Sequence, residues 1–270
     1  MSSKFLTLTT DFGLADGYVA AMKGVILSIS PDSRIFDITH SIEPQNVQQA
    51  ALVLGAAAGY FPPGTIHIAV VDPGVGTLRS LLAVRIQQPR EQIFLAPDNG
   101  ILGVIFERYP EHEVRRIENQ SLFLPMVSRT FHGRDILAPV AAHLAEGVPL
   151  EKVGPIVSDF DRGAFPHPVI RGNVIKGQII NRDSFGNLMT NISQDDLQTF
   201  DPATLLVRAS YTRVTGLSGS YSDVKKGELV CLVGSGGYLE IALREGSAAD
   251  KLRFSLGTEV EVSGDLLKPK

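Results

Sequence analysis

The apolar positions of the first half of the chain alternate between two periods. Phe5-Leu6-Thr7-Leu8-Thr9 predicts a strand ending in Thr10-Asp11-Phe12-Gly13. Gly17 to Ser30 predicts a helix, because Val19, Met22, Val25, Ile26 and Ile29 share one face and Pro31 falls just beyond it. Arg34 to Ile38 fits a second strand, and Pro44 to Tyr60 a second helix on Val47, Ala50, Ala51 and Leu54, broken by Pro62-Pro63-Gly64. Thr65 to Val71 is nearly all apolar, as a central strand covered on both faces must be. Leu81 to Ile86 and Gln92 to Leu95 predict a strand pair around Gln88-Pro89-Arg90, and Asp135 to Glu146 another helix. Such alternation predicts a layered α/β domain with a mostly parallel central sheet.

The period changes after about residue 155. Gly154-Pro155, Gly163, Pro166 and Pro168 punctuate a stretch with the character of a linker. Short alternating runs then take over, at Gly172 to Ile180, Leu205 to Val207, Glu228 to Val233, Tyr238 to Ala242 and Val260 to Val262. Separated by Gly and Ser turns, they predict a small β domain, barrel or sandwich. The expected layout is an α/β domain over residues 1–160, a linker over 161–171 and a β domain over 172–270.

Composition narrows the function. A net charge of −4 with 20% charged residues and only short basic clusters argues against a nucleic-acid partner. The single cysteine, Cys231, excludes an intrachain disulfide and a Cys-rich zinc site. It sits in the apolar run Leu229 to Val233, which predicts a buried, inert thiol. The N-terminus lacks a signal-peptide pattern, and the weakly polar run Ala50 to Phe61 is too short to span a bilayer. A cytoplasmic setting without a membrane partner is the expectation.

Ligands of open α/β sheets bind beyond the carboxyl ends of the strands. Three predicted strands end there in a carboxylate within a Gly-containing turn: Asp11, Asp72 and Asp98. One such Asp is an ordinary turn former, but three on one edge point to a site. Asp72 precedes Pro73-Gly74-Val75-Gly76-Thr77-Leu78-Arg79, so Arg79 can turn back toward it. His132 stands at a loop-to-helix junction, where Asp135 is the expected helix cap. In the second half, Asp183-Ser184-Phe185-Gly186-Asn187 reads either as a hairpin turn or as ligand-binding groups. The turn Gly234-Ser235-Gly236-Gly237-Tyr238 lacks a Walker lysine and opens no clear helix, so it is no phosphate loop.

Taken in order, these motifs resemble the S-adenosylmethionine hydroxide adenosyltransferases, relatives of the fluorinating and chlorinating enzymes. The resemblance rests on Thr10-Asp11-Phe12-Gly13 with Asp16 and Lys23-Gly24, and on Val71 to Gly76 with Arg79. It continues through Ala96 to Gly100, Phe131 to Asp135, Phe185-Gly186-Asn187 with Thr190-Asn191, and Ser235 to Leu239. It implies a C-terminal β-barrel, a homotrimer with sites between subunits, and cleavage of S-adenosylmethionine into adenosine and methionine by water. Asp72, Arg79 and His132 would be the catalytic set. Asp11 would hold the ribose, Asp183, Asn187 and Ser235 the methionine part or its neighbours, and Tyr221 would stack on adenine. Halogenating relatives carry an Arg after the serine of the C-terminal loop, where this chain has Gly236, and an extra loop in the first domain. Their absence favours hydroxide over halide.

No metal or cofactor is expected for this chemistry, because a sulfonium leaves as a neutral thioether without acid assistance. Two other classes stay open at this level. A metal-dependent nucleoside or nucleotide hydrolase would use Asp11, Asp16, Asp72, Asp98 and Asn99 as oxygen ligands. A non-catalytic adenosine or S-adenosylmethionine sensor would use the same binding residues without turnover.

Overall fold

The computed structural model describes residues 4–267, which form two compact units meeting at Phe165 and Pro166. The first unit is built on one six-stranded sheet. Its strands are β1 (Phe5–Thr10), β2 (Arg34–Thr39), β3 (Thr65–Val70), β4 (Leu81–Ile86), β5 (Gln92–Pro97) and β6 (His112–Arg116), in the spatial order β2-β1-β3-β5-β4-β6. The pairs β1–β2, β1–β3 and β3–β5 are parallel, whereas β4 runs antiparallel to both β5 and β6. The hairpin across residues 87–91 therefore turns a parallel sheet into a mixed one.

Helices α1 (Tyr18–Ile29), α2 (Val47–Ala58), α3 (Gly103–Arg108) and α4 (Ala138–Ala145) accompany this sheet. Helix α1 buries Val19, Met22 and Ile26, the stripe its period prescribes, in one core with Leu6, Leu8, Ile68 and α4. Helix α2 joins a second core with Phe94, Ile86 and α3. Its start is fixed by Asn46, whose side chain accepts from the Gln49 amide and satisfies one of the open donors of the first turn. Strand β3 is buried at every position, as expected of a strand covered on both sides. The π-helical turn Gly133–Leu137 leads into α4. Asp135 does not cap that helix, contrary to the sequence expectation. Its buried carboxylate accepts from the Ser128 amide and from Arg134 instead.

The second unit is an antiparallel sheet of eight strands: β7 (Val169–Arg171), β8 (Val174–Arg182), β9 (Leu188–Ser193), β10 (Leu206–Ala209), β11 (Thr212–Thr215), β12 (Leu229–Val233), β13 (Tyr238–Leu243) and β14 (Glu259–Ser263). Seven follow the order β11-β10-β14-β8-β9-β13-β12, and β7 pairs with β8. Ser218, just past β11, bridges Leu232 of β12 and brings the two ends of the sheet together into a nearly closed barrel. Ile175, Ile179, Leu188, Phe200, Val207, Leu239, Ile241 and Val260 fill its interior. Cys231 is buried among them, and burial alone pushes its thiol up to about 12, so it stays protonated. Among the described residues, no helix is long and apolar enough to cross a membrane.

Candidate active site

Parallel pairing of β1, β3 and β5 brings the carboxyl ends of three strands to one edge. The chain after β3 folds through Asp72-Pro73-Gly74-Val75-Gly76, and Gly76 has φ +79. A Cβ at that position would stand 2.5 Å from the Arg129 carbonyl oxygen, so glycine is what lets this loop pack against the His132 loop. Thr77 donates to the Gly74 carbonyl and closes the turn. Arg79 thereby folds back onto Asp72. Its Nε lies 2.8 and 2.7 Å from the two carboxylate oxygens, and Nη2 makes a further bond to Oδ2. The pair is nearly buried, with side-chain exposures of 10% for Arg79 and 7% for Asp72.

Nη2 of Arg79 also lies 2.9 Å from Nδ1 of His132. A guanidinium only donates, so Nδ1 is the acceptor and the ring hydrogen of the neutral imidazole belongs on Nε2. Burial, then the charge of Arg79, holds the His132 pKa below its usual value of 6.5, against the opposing pull of Asp72 and Asp135. The three residues form one hydrogen-bonded network of carboxylate, guanidinium and imidazole.

Asp72 and His132 open onto a cavity of about 240 Å³ that is also lined by Asp11, Phe12, Gln45, Val70, Phe131 and Gly133. Asp11 accepts from the Gln45 amide at 2.9 Å, and Gln45 adopts φ 67 to reach it. The turn carrying Asp11 is braced from below. Thr10 Oγ1 accepts from the Phe12 amide and shares a hydrogen with His40 Nδ1 at 2.9 Å, while His40 Nε2 lies 3.0 Å from Asp37. Phe131 packs edge to face with Phe12 and Tyr18, at centroid distances of 5.6 and 5.3 Å, and Phe12 and Tyr18 meet at a tilt 5.8 Å apart. Asp98 is not on this cavity. It accepts from the Asp161 amide, while Asn99 donates to the Val71 carbonyl and holds the chain just before Asp72.

The remaining sequence-predicted residues gather in the second unit. Asp183, Asn187, Tyr221 and Ser235 all line one cavity of about 660 Å³, together with Phe185, Glu240 and Arg244. The Asp183 segment is the hairpin turn between β8 and β9. Asp183 Oδ1 accepts from the Phe185 and Asn187 amides, and Oδ2 accepts from Asn187 Nδ2 at 2.8 Å. Two wall residues carry no signal in the sequence pattern. Glu240 is a lone carboxylate in the apolar run Leu239 to Leu243, and Arg244 is spent on the carbonyls of Ser222 and Val224. Among the described residues, no three of the His, Cys, Asp and Glu side chains are placed to hold a metal ion. Of the oxygen-ligand set, Asp11 and Asp72 share the first cavity, whereas Asp98 is taken up by the Asp161 amide.

Comparison with known proteins converges on one group. A family model described as the SAM hydroxide adenosyltransferase N-terminal domain matches residues 6–154, and its C-terminal counterpart matches residues 177–261. An (R)-S-adenosyl-L-methionine hydrolase from Salinispora tropica is 36% identical, with 96% of this chain and 97% of that protein aligned. A fluorinase from an Actinoplanes species is 31% identical over 96% of this chain and 97% of its own length. The crystal structure of an uncharacterized conserved protein from Thermotoga maritima superposes with a TM-score of 0.89 at 40% identity, covering 96% of this chain and 99% of that one.

Proposed function

From a chain that belongs to the SAM hydroxide adenosyltransferase family, we infer hydrolysis of S-adenosyl-L-methionine to adenosine and L-methionine. The observation that carries the reading is the Asp72–Arg79–His132 network, whose Asp72 and His132 line a cavity shared with Asp11. The chemistry follows from the substrate. The oxygen of water attacks C5′ as the C5′–S bond breaks, the electron pair stays on sulfur, and the thioether leaves uncharged. Only the nucleophile needs help, because bulk water has a pKa of about 15.7.

Each residue then has one task. Arg79 supplies the positive charge that stabilises developing hydroxide in a partly dry site. Asp72 grips the guanidinium through Nε and Nη2, so that its position costs nothing at the moment of reaction. Burial and Arg79 keep His132 neutral, and it becomes the base that takes the proton when Nδ1 exchanges its bond from Arg79 for one from the attacking water. Asp11 receives the ribose hydroxyls. In the second unit, Asp183, Asn187 and Ser235 hold the methionine part and its neighbours, and Tyr221 stacks on adenine.

The reading includes a homotrimer in which each site is completed by a neighbouring subunit. The first-unit cavity, at about 240 Å³, is smaller than the ~300–1,000 Å³ of typical ligand pockets, whereas the second-unit cavity falls within that range. Leu14 and Leu78 in the first unit, and Phe185 on the wall of the second-unit cavity, are 76–103% exposed apolar side chains that a neighbouring subunit would cover. Water rather than halide fits Gly236, which removes the arginine of the halogenating pattern. The buried thiol of Cys231 agrees with a reducing cytoplasmic setting.

Turnover tests the reading against its alternatives. The protein incubated with S-adenosylmethionine should release adenosine and methionine in equal amounts, at a rate that EDTA leaves unchanged. Substrate recovered intact after long incubation would instead identify a sensor, and loss of activity with EDTA a metal-dependent hydrolase.

A further inference from the structure

The second-unit cavity contains a carboxylate for which the proposed chemistry has no use. Glu240 lies in β13, between β9 and β12, flanked by the fully buried Leu239 and Ile241. It is itself only 8% exposed. A carboxylate in such a strand costs free energy unless its bonds repay it. Burial, and then the nearby charge of Asp183, pushes its pKa up, against the pull of one bond from Tyr221.

Two contacts define what Glu240 does. Its Oε2 accepts from the Tyr221 hydroxyl at 3.0 Å. Tyr221 belongs to a single turn of 3₁₀ helix and is 44% exposed, and this bond ties its hydroxyl to strand β13. The other oxygen, Oε1, packs onto Gly234, where a Cβ would stand 1.9 Å away. Gly234 directly precedes Ser235, and its amide donates to the Tyr238 carbonyl to close that turn. One buried side chain therefore touches the two walls of the cavity to which Tyr221 and Ser235 belong.

We propose that Glu240 is a positioning residue for the adenosyl group, fixing the Tyr221 ring and the Gly234-Ser235 turn at the spacing the ligand requires. The proposal rests on the functional reading above, in which Tyr221 meets adenine and Ser235 the methionine part. It separates binding from chemistry, because Glu240 belongs to the ligand wall and not to the Asp72–Arg79–His132 network.

The test is a KM-against-kcat split, with adenosine binding followed by calorimetry. Glu240→Ala should raise KM for S-adenosylmethionine and weaken adenosine about tenfold, with kcat within about threefold of the parent. Glu240→Gln, which keeps an oxygen to accept from Tyr221, should restore most of the affinity. Tyr221→Phe removes the same bond from the exposed side, with little risk to folding, and should also raise KM. Gly234→Ala should reproduce Glu240→Ala by displacing the carboxylate, and the double variant should be no worse than either single one. A purely structural role would lower the melting temperature without this pattern. If Glu240→Ala and Tyr221→Phe bind both ligands as the parent does, the positioning role is wrong while the hydrolase reading stands. If the parent protein binds neither ligand and releases no adenosine, both fall.

Discussion

Arg79→Ala should lower kcat for adenosine release by about three orders of magnitude, which is about 4 kcal/mol of lost transition-state stabilisation. The size follows from what one side chain does in this network. Among the described residues, Arg79 is the only cation bonded to Asp72 and to His132, and both it and Asp72 are nearly buried. Its removal takes away the charge that makes hydroxide accessible, and leaves an unpaired carboxylate and an unanchored imidazole. Arg79→Lys should fall almost as far, by about two orders of magnitude, because an ammonium cannot grip a carboxylate along an edge while also reaching Nδ1 of His132. KM should change little in either variant, since the ligand-holding residues are elsewhere. Steady-state kinetics with circular dichroism as the folding control decide the matter. A kcat within tenfold of the parent would remove Arg79 from the chemistry.

Acid should destabilise the fold well before its carboxylates titrate, and His67 is the reason. This residue sits in the middle of β3, fully buried, stacked on Phe94 at 4.7 Å and edge-on to Phe61. Nδ1 shares a hydrogen with Thr7 Oγ1 at 2.7 Å, while Nε2 meets no hydrogen-bonding group among the described residues. Burial lowers its pKa from 6.5 to about 3. The unfolded chain therefore binds a proton that the folded chain refuses over the window between those two values. Stability is complete above pH 6.5 and is lost as the pH falls toward 3, by about 2 kcal/mol at pH 5 at ~1.4 kcal/mol per pH unit. Urea unfolding at pH 7.5 and pH 5 should show this loss, and His67→Leu should remove it. The variant leaves the Thr7 hydroxyl unpaired and lowers stability at both pH values, so the difference between them is the readout. Equal pH dependence in parent and variant would show that His67 is not the group responsible.

The sequence pattern revealed elements wherever burial is one-sided or complete. Helix α1 shows its stripe because Val19, Met22 and Ile26 enter the core with Val25 and Ile29 partly buried against it, and β3 shows none because every position is buried. Strand β9 stayed hidden because it buries Thr190 and Asn191, whose polar atoms are satisfied by the Leu239 and Pro166 carbonyls. Helix α3 is a six-residue piece, too short to display a period, and starts at a glycine over which Phe165 packs. Of the site, the Asp72–Arg79 contact could be foreseen because a glycine-rich turn of seven residues returns the chain to its start. The reach of Arg79 to His132, 53 residues further along, could only be implied by family resemblance. Glu240 was invisible for the opposite reason. One charge within an apolar strand looks like an interruption until its partners, Tyr221 and Gly234, are placed around it.

Every role assigned to Asp72, Arg79 and His132 depends on water as the attacking group at C5′. Reaction of the protein with S-adenosylmethionine in ¹⁸O-water, followed by mass analysis of the released adenosine, tests that directly. In-line attack predicts one heavy oxygen per adenosine, located at the 5′ hydroxyl, and none in methionine. Adenosine that carries no label, or a nucleoside product bearing another group at C5′, would contradict it.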